Sequence, residues 1–289
     1  MGDDVIPREW CLSDEGGVRP GEARGSKVHR AWVILAAGLF AAAGFLAAAG
    51  CGTSVTREAQ QDFKPGRAAF EAGRWQEAVD GFTRFLAAYP SSPARGEVYY
   101  YRGLAEVRLN RRNEALADFQ RAMRAAPPPP ISAYVQVAIG NVHFEEGRDW
   151  DAVRAYNGVL GNPPDGVPLD RLVLRLAISL QRVGRWSTAD TYLAYVIKNF
   201  PGTPAAAEAR RRYRAGAFTV QTGAYTSNEG AQREASRLRT AGFAPEIGVT
   251  QQQARRLLTV RVGRARTYAE AFSLAQRVSA AGFSAWVVP

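Results

Sequence analysis

Small, bulky and helix-ending residues recur every 37 positions through the middle of the chain. One column holds alanine, a second holds a bulky apolar residue four positions later, and a third holds proline. Glycine forms a further column in three of the four copies. The columns are Ala78, Ala115, Ala152 and Ala189; Phe82, Phe119, Tyr156 and Leu193; Pro90, Pro127, Pro164 and Pro201; and Gly66, Gly103 and Gly140, with Ala177 last. A period of this size predicts an all-α solenoid, whose units bury their apolar faces against one another.

The spacing within each unit predicts how its helices pack. Residues four apart fall on one face of a helix, one turn along. The alanine therefore permits two helices to approach closely, the bulky residue fills the space beside it, and the proline ends the helix. Residues 203–214 follow the last unit and predict a polar capping helix. Because solenoids mainly hold partners, this architecture points away from catalysis.

A second duplication, at an offset of 40 residues, organises the last 75 residues. Each copy has an alternating run, a helical pattern, the tripeptide Ala-Gly-Phe and another alternating run. The matched residues are Val220, Gly223, Ala231, Ala235, Leu238, Ala241, Gly242 and Phe243 in the first copy, and Val260, Gly263, Ala271, Ala275, Val278, Ala281, Gly282 and Phe283 in the second. This pattern predicts a small α/β domain with the element order βαββαβ, an RNP-like outline.

Alternation in the two central strands predicts which side chains face the helices. The predicted helices, Asn228–Ala241 and Tyr268–Ala281, carry stripes of small apolar residues, and Thr267 with Glu270 forms a capping-box pattern before the second. The helix-facing positions are Val220, Thr222, Leu258, Val260 and Val262, and the opposite positions are Thr219, Gln221, Gly223, Leu257, Thr259 and Arg261. One face of the sheet is therefore expected to stay open.

Gln221 and Arg261 give the open face the chemistry of a carbohydrate platform. A glutamine amide donates to and accepts from sugar hydroxyls and acetamides, and a guanidinium pairs with carboxylates. Trp286 belongs to the same face if Ala285 and Val287 pack under the helices, and its indole then suits stacking on a sugar ring. The alternatives are edge packing for Trp286 and an ordinary exposed strand pair for Gln221 and Arg261. RNA binding is disfavoured, because these two polar residues stand where stacking rings are needed.

An apolar run of 20 residues, 31–50, lacks charge and proline and ends directly before Cys51. Such a run is just long enough to span a bilayer. With Lys27 and Arg30 in front it resembles a secretory signal, and Ala48 to Cys51 resembles a bacterial lipobox, in which the cysteine is lipidated and becomes the first residue. An uncleaved membrane anchor is the alternative. Both place residues 52–289 outside the cytoplasm, and Gly52 resembles the residue found after the cysteine in outer-membrane lipoproteins.

These patterns divide the chain into four segments. Residues 1–26 carry six acidic residues, unlike a basic signal lead, and are expected to be a disordered extension or the product of a misassigned start. Residues 27–51 form the signal and lipobox segment. The helical repeat domain is predicted over 52–214 and the α/β domain over 217–289.

The net charge of +10 comes almost wholly from arginine. It divides as about −1 for residues 1–30, +6 for 52–214 and +5 for 218–289. A diffuse basic surface suits anionic partners such as lipid headgroups or a cell-wall polymer, whereas the lack of a lysine run argues against nucleic acid. Cys11 and Cys51 show no metal spacing, and His29 and His143 are the only histidines. No metal, cofactor or histidine-based catalytic site is therefore expected.

Residues 59–201 resemble tetratricopeptide repeats. The first unit matches the family's second-helix pattern at Gly73, Trp75, Ala78, Phe82 and Pro90, and the last unit matches at Gly184, Trp186, Ala189, Leu193 and Pro201. The period exceeds the usual value of about 34, so longer turns are expected between units. The resemblance implies helix pairs that hold an envelope protein partner, with Trp75 and Trp186 at packing positions of the repeats.

Residues 217–289 resemble a SPOR domain, a peptidoglycan-binding module, over the whole length of that family. The match rests on Phe218–Tyr225, on Leu258–Gly263 and on the two Ala-Gly-Phe ends. The resemblance implies that the partner is peptidoglycan, with a preference for glycan stripped of its stem peptides, as found at division sites. The candidate glycan-binding residues are Thr219, Gln221, Gly223, Tyr225, Leu257, Thr259, Arg261 and Trp286.

The combined prediction is a non-catalytic lipoprotein of the cell envelope, lipidated on Cys51 and facing the periplasm at the outer membrane. The repeats are expected to scaffold a protein partner while the last domain binds peptidoglycan during cell division or wall organisation. The alternative is an assembly factor for outer-membrane or secretion machinery, with protein binding as its main role. A wall hydrolase is disfavoured, because the acidic residues follow helix patterning.

Overall fold

The computed structural model describes residues 56–161, 163, 165–252 and 255–289. The predicted signal segment and Cys51 lie outside these residues, as does Pro164 of the proline column. The repeat region contains helices α1 (Arg57–Glu71), α2 (Trp75–Ala88), α3 (Arg95–Arg108), α4 (Arg112–Arg124), α5 (Ile131–Glu145), α6 (Asp149–Leu160), α7 (Leu169–Arg182), α8 (Trp186–Asn199) and α9 (Pro204–Arg212). Consecutive helices pack against one another along the whole series, which confirms the predicted solenoid.

The repeat columns mark the contacts between helices. All four column alanines, and the bulky residues Phe82, Phe119, Tyr156 and Leu193 beside them, are fully buried. Helices α2, α4 and α8 each end two or three residues before a column proline. One continuous apolar core runs from Ala59 to Ala209, so that α9 covers the end of the solenoid as the predicted capping helix.

The glycine column lies where the two helices of a unit come closest. A methyl group added at Gly66, Gly103 or Gly140 would lie 2.8, 2.6 and 2.6 Å from the ring of Phe82, Phe119 or Tyr156, respectively. The aromatic ring of each second helix therefore occupies the space that a side chain would take on the first helix. In the last unit Ala177 stands in the glycine column and the smaller Leu193 stands in the aromatic column, and both are fully buried.

The carboxy-terminal domain has the predicted order βαββαβ. Its elements are β1 (Phe218–Tyr225), α10 (Asn228–Thr240), β2 (Pro245–Gln252), β3 (Arg255–Ala265), α11 (Tyr268–Ala280) and β4 (Trp286–Val288). The strands form an antiparallel sheet in the order β2-β3-β1-β4, and α10 and α11 cover one face of it. The Thr267–Glu270 capping box that the sequence predicts is present at the start of α11.

A β-bulge interrupts β1 between Gln221 and Gly223. Gln221 pairs with Arg261 and Gly223 pairs with Val260. The chain advances by two residues on β1 and by one residue on β3 between these pairs, so β1 contains one extra residue. Because strand side chains alternate, the extra residue shifts every later position of β1 to the other face. This shift changes where the end of β1 presents its side chains.

Candidate functional site

A row of four side chains crosses the uncovered face of the sheet, one from each strand. Glu246 pairs with Arg261, Arg261 with Gln221, and Gln221 with Trp286. The neighbours of Trp286, Ala285 and Val287, pack against the core under the helices. The indole therefore points outward and is 56% exposed, while Gln221 and Arg261 are half-buried between it and Glu246. We call these four residues the polar row.

Two polar atoms on this face lack a hydrogen-bond partner among the described residues. They are Thr219 Oγ1, two positions before Gln221 on β1, and Arg261 Nε. A buried polar atom without a partner costs free energy, typically about 1–3 kcal/mol. Both atoms are buried on adjacent strands beside an exposed indole, so a ligand that carries hydroxyl, amide or carboxylate oxygens would satisfy them once the two side chains turn outward.

Gly223 and Tyr225 do not lie on the open face, and the prediction that they do is wrong. After the bulge, Tyr225 pairs with Leu258 and packs against the core on the helix-covered side. Its ring lies over Gly223 and over Gly230 of α10, where added methyl groups would be 2.6 and 3.1 Å away. Burial raises the pKa of the Tyr225 phenol. Both residues therefore pack between β1 and the helices, on the side of the sheet opposite to the polar row.

Thr259 and Leu257 follow the predicted alternation on β3, but Thr259 offers no accessible surface. Thr259 is only 2% exposed and pairs with Gly248 of β2 and Ala224 of β1. Its hydroxyl oxygen lies 3.3 Å from the position that a Cβ atom would occupy on Gly248. Leu257 is half-buried opposite Thr250. The prediction that Thr259 is open to a ligand is therefore wrong.

Glu246 is the one member of the polar row that the sequence reasoning missed. It lies on β2, an edge strand whose short run, Pro245–Gln252, has a weak apolar alternation. The strand's apolar Ile247 faces Val260 in the core, so Glu246 must face the open side with Arg261. An inward-facing Ile247 in the sequence pattern would have predicted that its neighbour Glu246 faces the open side.

The solenoid and the sheet domain meet through Trp186, at the start of α8. Its indole Nε1 donates a hydrogen bond to the Arg266 carbonyl oxygen at 2.8 Å, and its ring packs edge-on against Phe218 with centroids 4.9 Å apart. The sequence predicts Trp75 and Trp186 to be packing residues of the repeats. Trp75 does pack inside the solenoid, on Phe70, whereas Trp186 instead packs against Phe218, Ala265 and Ala271 of the sheet domain.

A cation–π contact reinforces this junction. The Arg182 guanidinium lies 4.5 Å from the Phe144 ring of α5 and 5.5 Å from the Tyr268 ring of α11. It also pairs with Asp149 at 3.5 Å. Burial raises the pKa of the Asp149 carboxyl, and this pairing with Arg182 opposes that rise. Arg182 thus links both domains while it neutralises a half-buried carboxylate.

Among the described residues there is neither a membrane-spanning helix nor a metal-binding cluster. From Thr56 onward, none of the described helices combines the length and the apolar character that crossing a membrane requires, and the apolar run 31–50 lies outside them. Within the same ranges, no three histidine, cysteine, aspartate or glutamate side chains gather in a way that suits a metal ion.

Comparison with protein families identifies both domains. A SPOR domain model matches residues 215–289, and tetratricopeptide repeat models match residues 63–130, 100–167 and 172–203. No curated protein matches the chain. The matches coincide with the βαββαβ domain and with the helical solenoid. The chain therefore carries tetratricopeptide repeats, which form a protein-interaction family, followed by a carboxy-terminal SPOR domain, whose family of peptidoglycan-binding modules implies a cell-envelope protein.

Proposed function

We propose that this protein is a non-catalytic lipoprotein that binds the glycan strands of peptidoglycan through its polar row and holds an envelope protein on its repeats. The observation that carries the glycan assignment is the polar row, in which the exposed Trp286 indole lies beside the half-buried Gln221 and Arg261. The indole of Trp286 stacks on a sugar ring, Gln221 bonds to hydroxyl and acetamide groups, and Arg261 pairs with a lactyl carboxylate.

Glycan stripped of its stem peptides is the preferred form of the ligand. Gln221 and Arg261 are half-buried in the uncovered face of the sheet. Stem peptides attached to a glycan strand would therefore keep its sugars from reaching these two side chains. Such glycan occurs at division sites, so the proposed place of action is the septum. There the repeats would bring a protein partner to the wall.

Gln221→Ala and Arg261→Ala should each weaken binding of the full chain to isolated sacculi by about 5- to 150-fold, because losing the partner of a bound polar group costs about 1–3 kcal/mol. The measurement is co-sedimentation with sacculi, with and without amidase treatment to remove stem peptides. Amidase treatment should strengthen binding of the wild-type chain and change little for the variants.

Matched controls are available on the exposed side of α10. Gln232→Ala and Arg233→Ala remove the same residue types from the helix-covered side of the domain and should bind like the wild type. All four variants should keep the wild-type melting temperature. Wild-type binding by both Gln221→Ala and Arg261→Ala would place the glycan site elsewhere.

We also propose that a lipid on Cys51 anchors the protein at the outer membrane. The support is the position of Cys51 directly after the apolar run 31–50, with Gly52 following it. Cells fed with radiolabelled palmitate should label the wild-type protein and should not label Cys51→Ser. Equal labelling of both proteins would contradict the lipid anchor and favour a membrane-spanning segment.

A further inference from the structure

The sheet of the SPOR domain has one edge strand that is long and open. β2 pairs with β3 on its inner side, and no other strand of the described residues pairs with its outer side. The strand at the opposite edge, β4, has only three residues, whereas β2 has eight. An open edge presents backbone N–H and C=O groups that can pair with another strand, and proteins usually protect it with proline, lysine or a short length.

β2 carries such protection only at its start. Pro245 and Glu246 occupy its first two positions, and residues 247–252 contain no charge and no proline. Val249 is 57% exposed, the highest value among the exposed large apolar side chains of the described residues. It lies on the same side of the sheet as Ile247, since residues two apart in a strand share a face, but Ile247 packs on the core whereas Val249 does not. The outer edge of β2 therefore combines an open backbone with an uncovered apolar side chain.

The sequence of β2 fits a second copy of itself in antiparallel orientation. When Val249 stands opposite its own counterpart, Gly248 stands opposite Thr250, and Glu246 stands opposite Gln252. The two valines then cover one another. Like charges that stand directly opposite destabilise a strand pair, and this register contains none. The strand is therefore complementary to itself in charge and in the position of its exposed valine.

The solenoid leaves this edge of the sheet uncovered. It docks through Trp186 on Phe218 and Ala265, which pair with one another at one end of the sheet. The residue of β2 nearest to that end is Pro245, which pairs with Val262. None of the helices α1 to α9 contacts β2. Antiparallel pairing of two β2 strands would therefore place the two solenoids at opposite ends of the joined sheet.

We propose that two copies of this chain pair through their β2 strands and form one continuous antiparallel sheet. Opposite residues of an antiparallel pair point to the same side, so the two uncovered faces, each with its polar row, lie on one side of the joined sheet. One strand pair is a small interface, so the pairing is weak between free chains and strengthens when a polymer holds two copies together. The pairing itself is independent of the proposed function, and only the gain in glycan binding rests on it.

Disulfide cross-linking of the full chain in detergent tests the pairing, with Cys11 and Cys51 replaced by serine. Val249→Cys should form a linked dimer on oxidation with copper phenanthroline, because directly opposite residues have Cα atoms about 4.5–5.5 Å apart, within the reach of a disulfide. Glu246→Cys should remain monomeric, because its two copies would lie about six residue steps, or about 20 Å, apart. Gln276→Cys measures chance collisions, since it is exposed on α11, which does not contact β2.

Two results of the cross-linking would overturn the proposal. Equal yields of dimer from Val249→Cys and Gln276→Cys would show that the edge does not pair with a second copy, and a strand of another protein would then be the better occupant. A Glu246→Cys dimer as abundant as that of Val249→Cys would contradict the antiparallel register centred on Val249.

Binding to sacculi tests whether the two polar rows share one side. In dilute solution the linked Val249→Cys dimer should bind about 100-fold more tightly than the same protein after reduction, because linking two sites that engage together gains about 10²–10⁴-fold. A linked dimer that binds only as tightly as the reduced chain would overturn the joined sheet. A reduced chain that does not bind sacculi would instead contradict the proposed glycan site and leave the cross-linking result intact.

Discussion

Gly103→Ala should destabilise the repeat domain even though alanine is the better helix former. The new methyl group would lie 2.6 Å from Cε1 of Phe119 and 3.2 Å from the Ala115 carbonyl oxygen. Phe119 is fully buried, so its ring can move away only by displacing its close-packed neighbours. Helix propensity favours alanine by about 1 kcal/mol, but overpacking a core costs about 1–3 kcal/mol or more. We therefore expect a net loss of up to about 2 kcal/mol in urea unfolding followed by circular dichroism.

The last repeat shows how this loss can be compensated. There Ala177 stands in the glycine column, and Leu193 takes the place of the aromatic ring. Phe119→Leu should accordingly cost less in the Gly103→Ala background than in the wild type, with a coupling energy of about 0.5–3 kcal/mol in the double-mutant cycle.

A second glycine gives the control. Gly158→Ala should be neutral or stabilising, because the three atoms nearest to the added methyl group all belong to the end of the flexible Gln136 side chain. If Gly103→Ala unfolds at the same urea concentration as the wild type or a higher one, close helix approach does not explain the glycine column.

The solenoid could be predicted from the sequence because its contacts are local and repeat. The alanine column, which includes Ala115, faces the partner helix in every unit. The need for a small residue at that contact therefore appears four times at one spacing. The position of Trp186 shows the limit of this reasoning. The tryptophan occupies a family position of the repeat, yet its partner, Phe218, belongs to the next domain. The repeat period carries no information about what packs on the last unit.

The polar row could be predicted only in part, because alternation holds until the backbone departs from it. Gln221, Arg261 and Trp286 lie before or away from the bulge, and the structure places them on the open face as expected. Tyr225 lies after the bulge and therefore faces the core. A glycine within a strand, here Gly223, is a known sign of a bulge or of close packing, and it was the clue to this error.

Asp118→Ala should cost the repeat domain about 3 kcal/mol, because it leaves the partly buried guanidinium of Arg102 without its counter-ion. Asp118 is almost fully buried and accepts two hydrogen bonds from Arg102, at 2.6 and 2.8 Å, and one from Arg121 at 2.7 Å. Arg102 also donates to Thr83 of the preceding unit, at 3.0 Å. The carboxylate thus holds the arginine that bridges two repeats. Urea unfolding of the full chain measures the loss.

The expected loss of stability in Asp118→Ala comes from leaving Arg102 without its counter-ion, and not from the net contribution of the ion pair to stability. Taking two ions out of water cancels most of their attraction, so replacing both with apolar residues is often neutral or stabilising. Arg102→Met/Asp118→Leu should therefore unfold within about 1 kcal/mol of the wild type. Glu77→Ala, which breaks an exposed pair with Arg74, should change stability by less than about 1 kcal/mol. A double variant as unstable as Asp118→Ala would mean that the ion pair itself stabilises the stacking of the first two repeats.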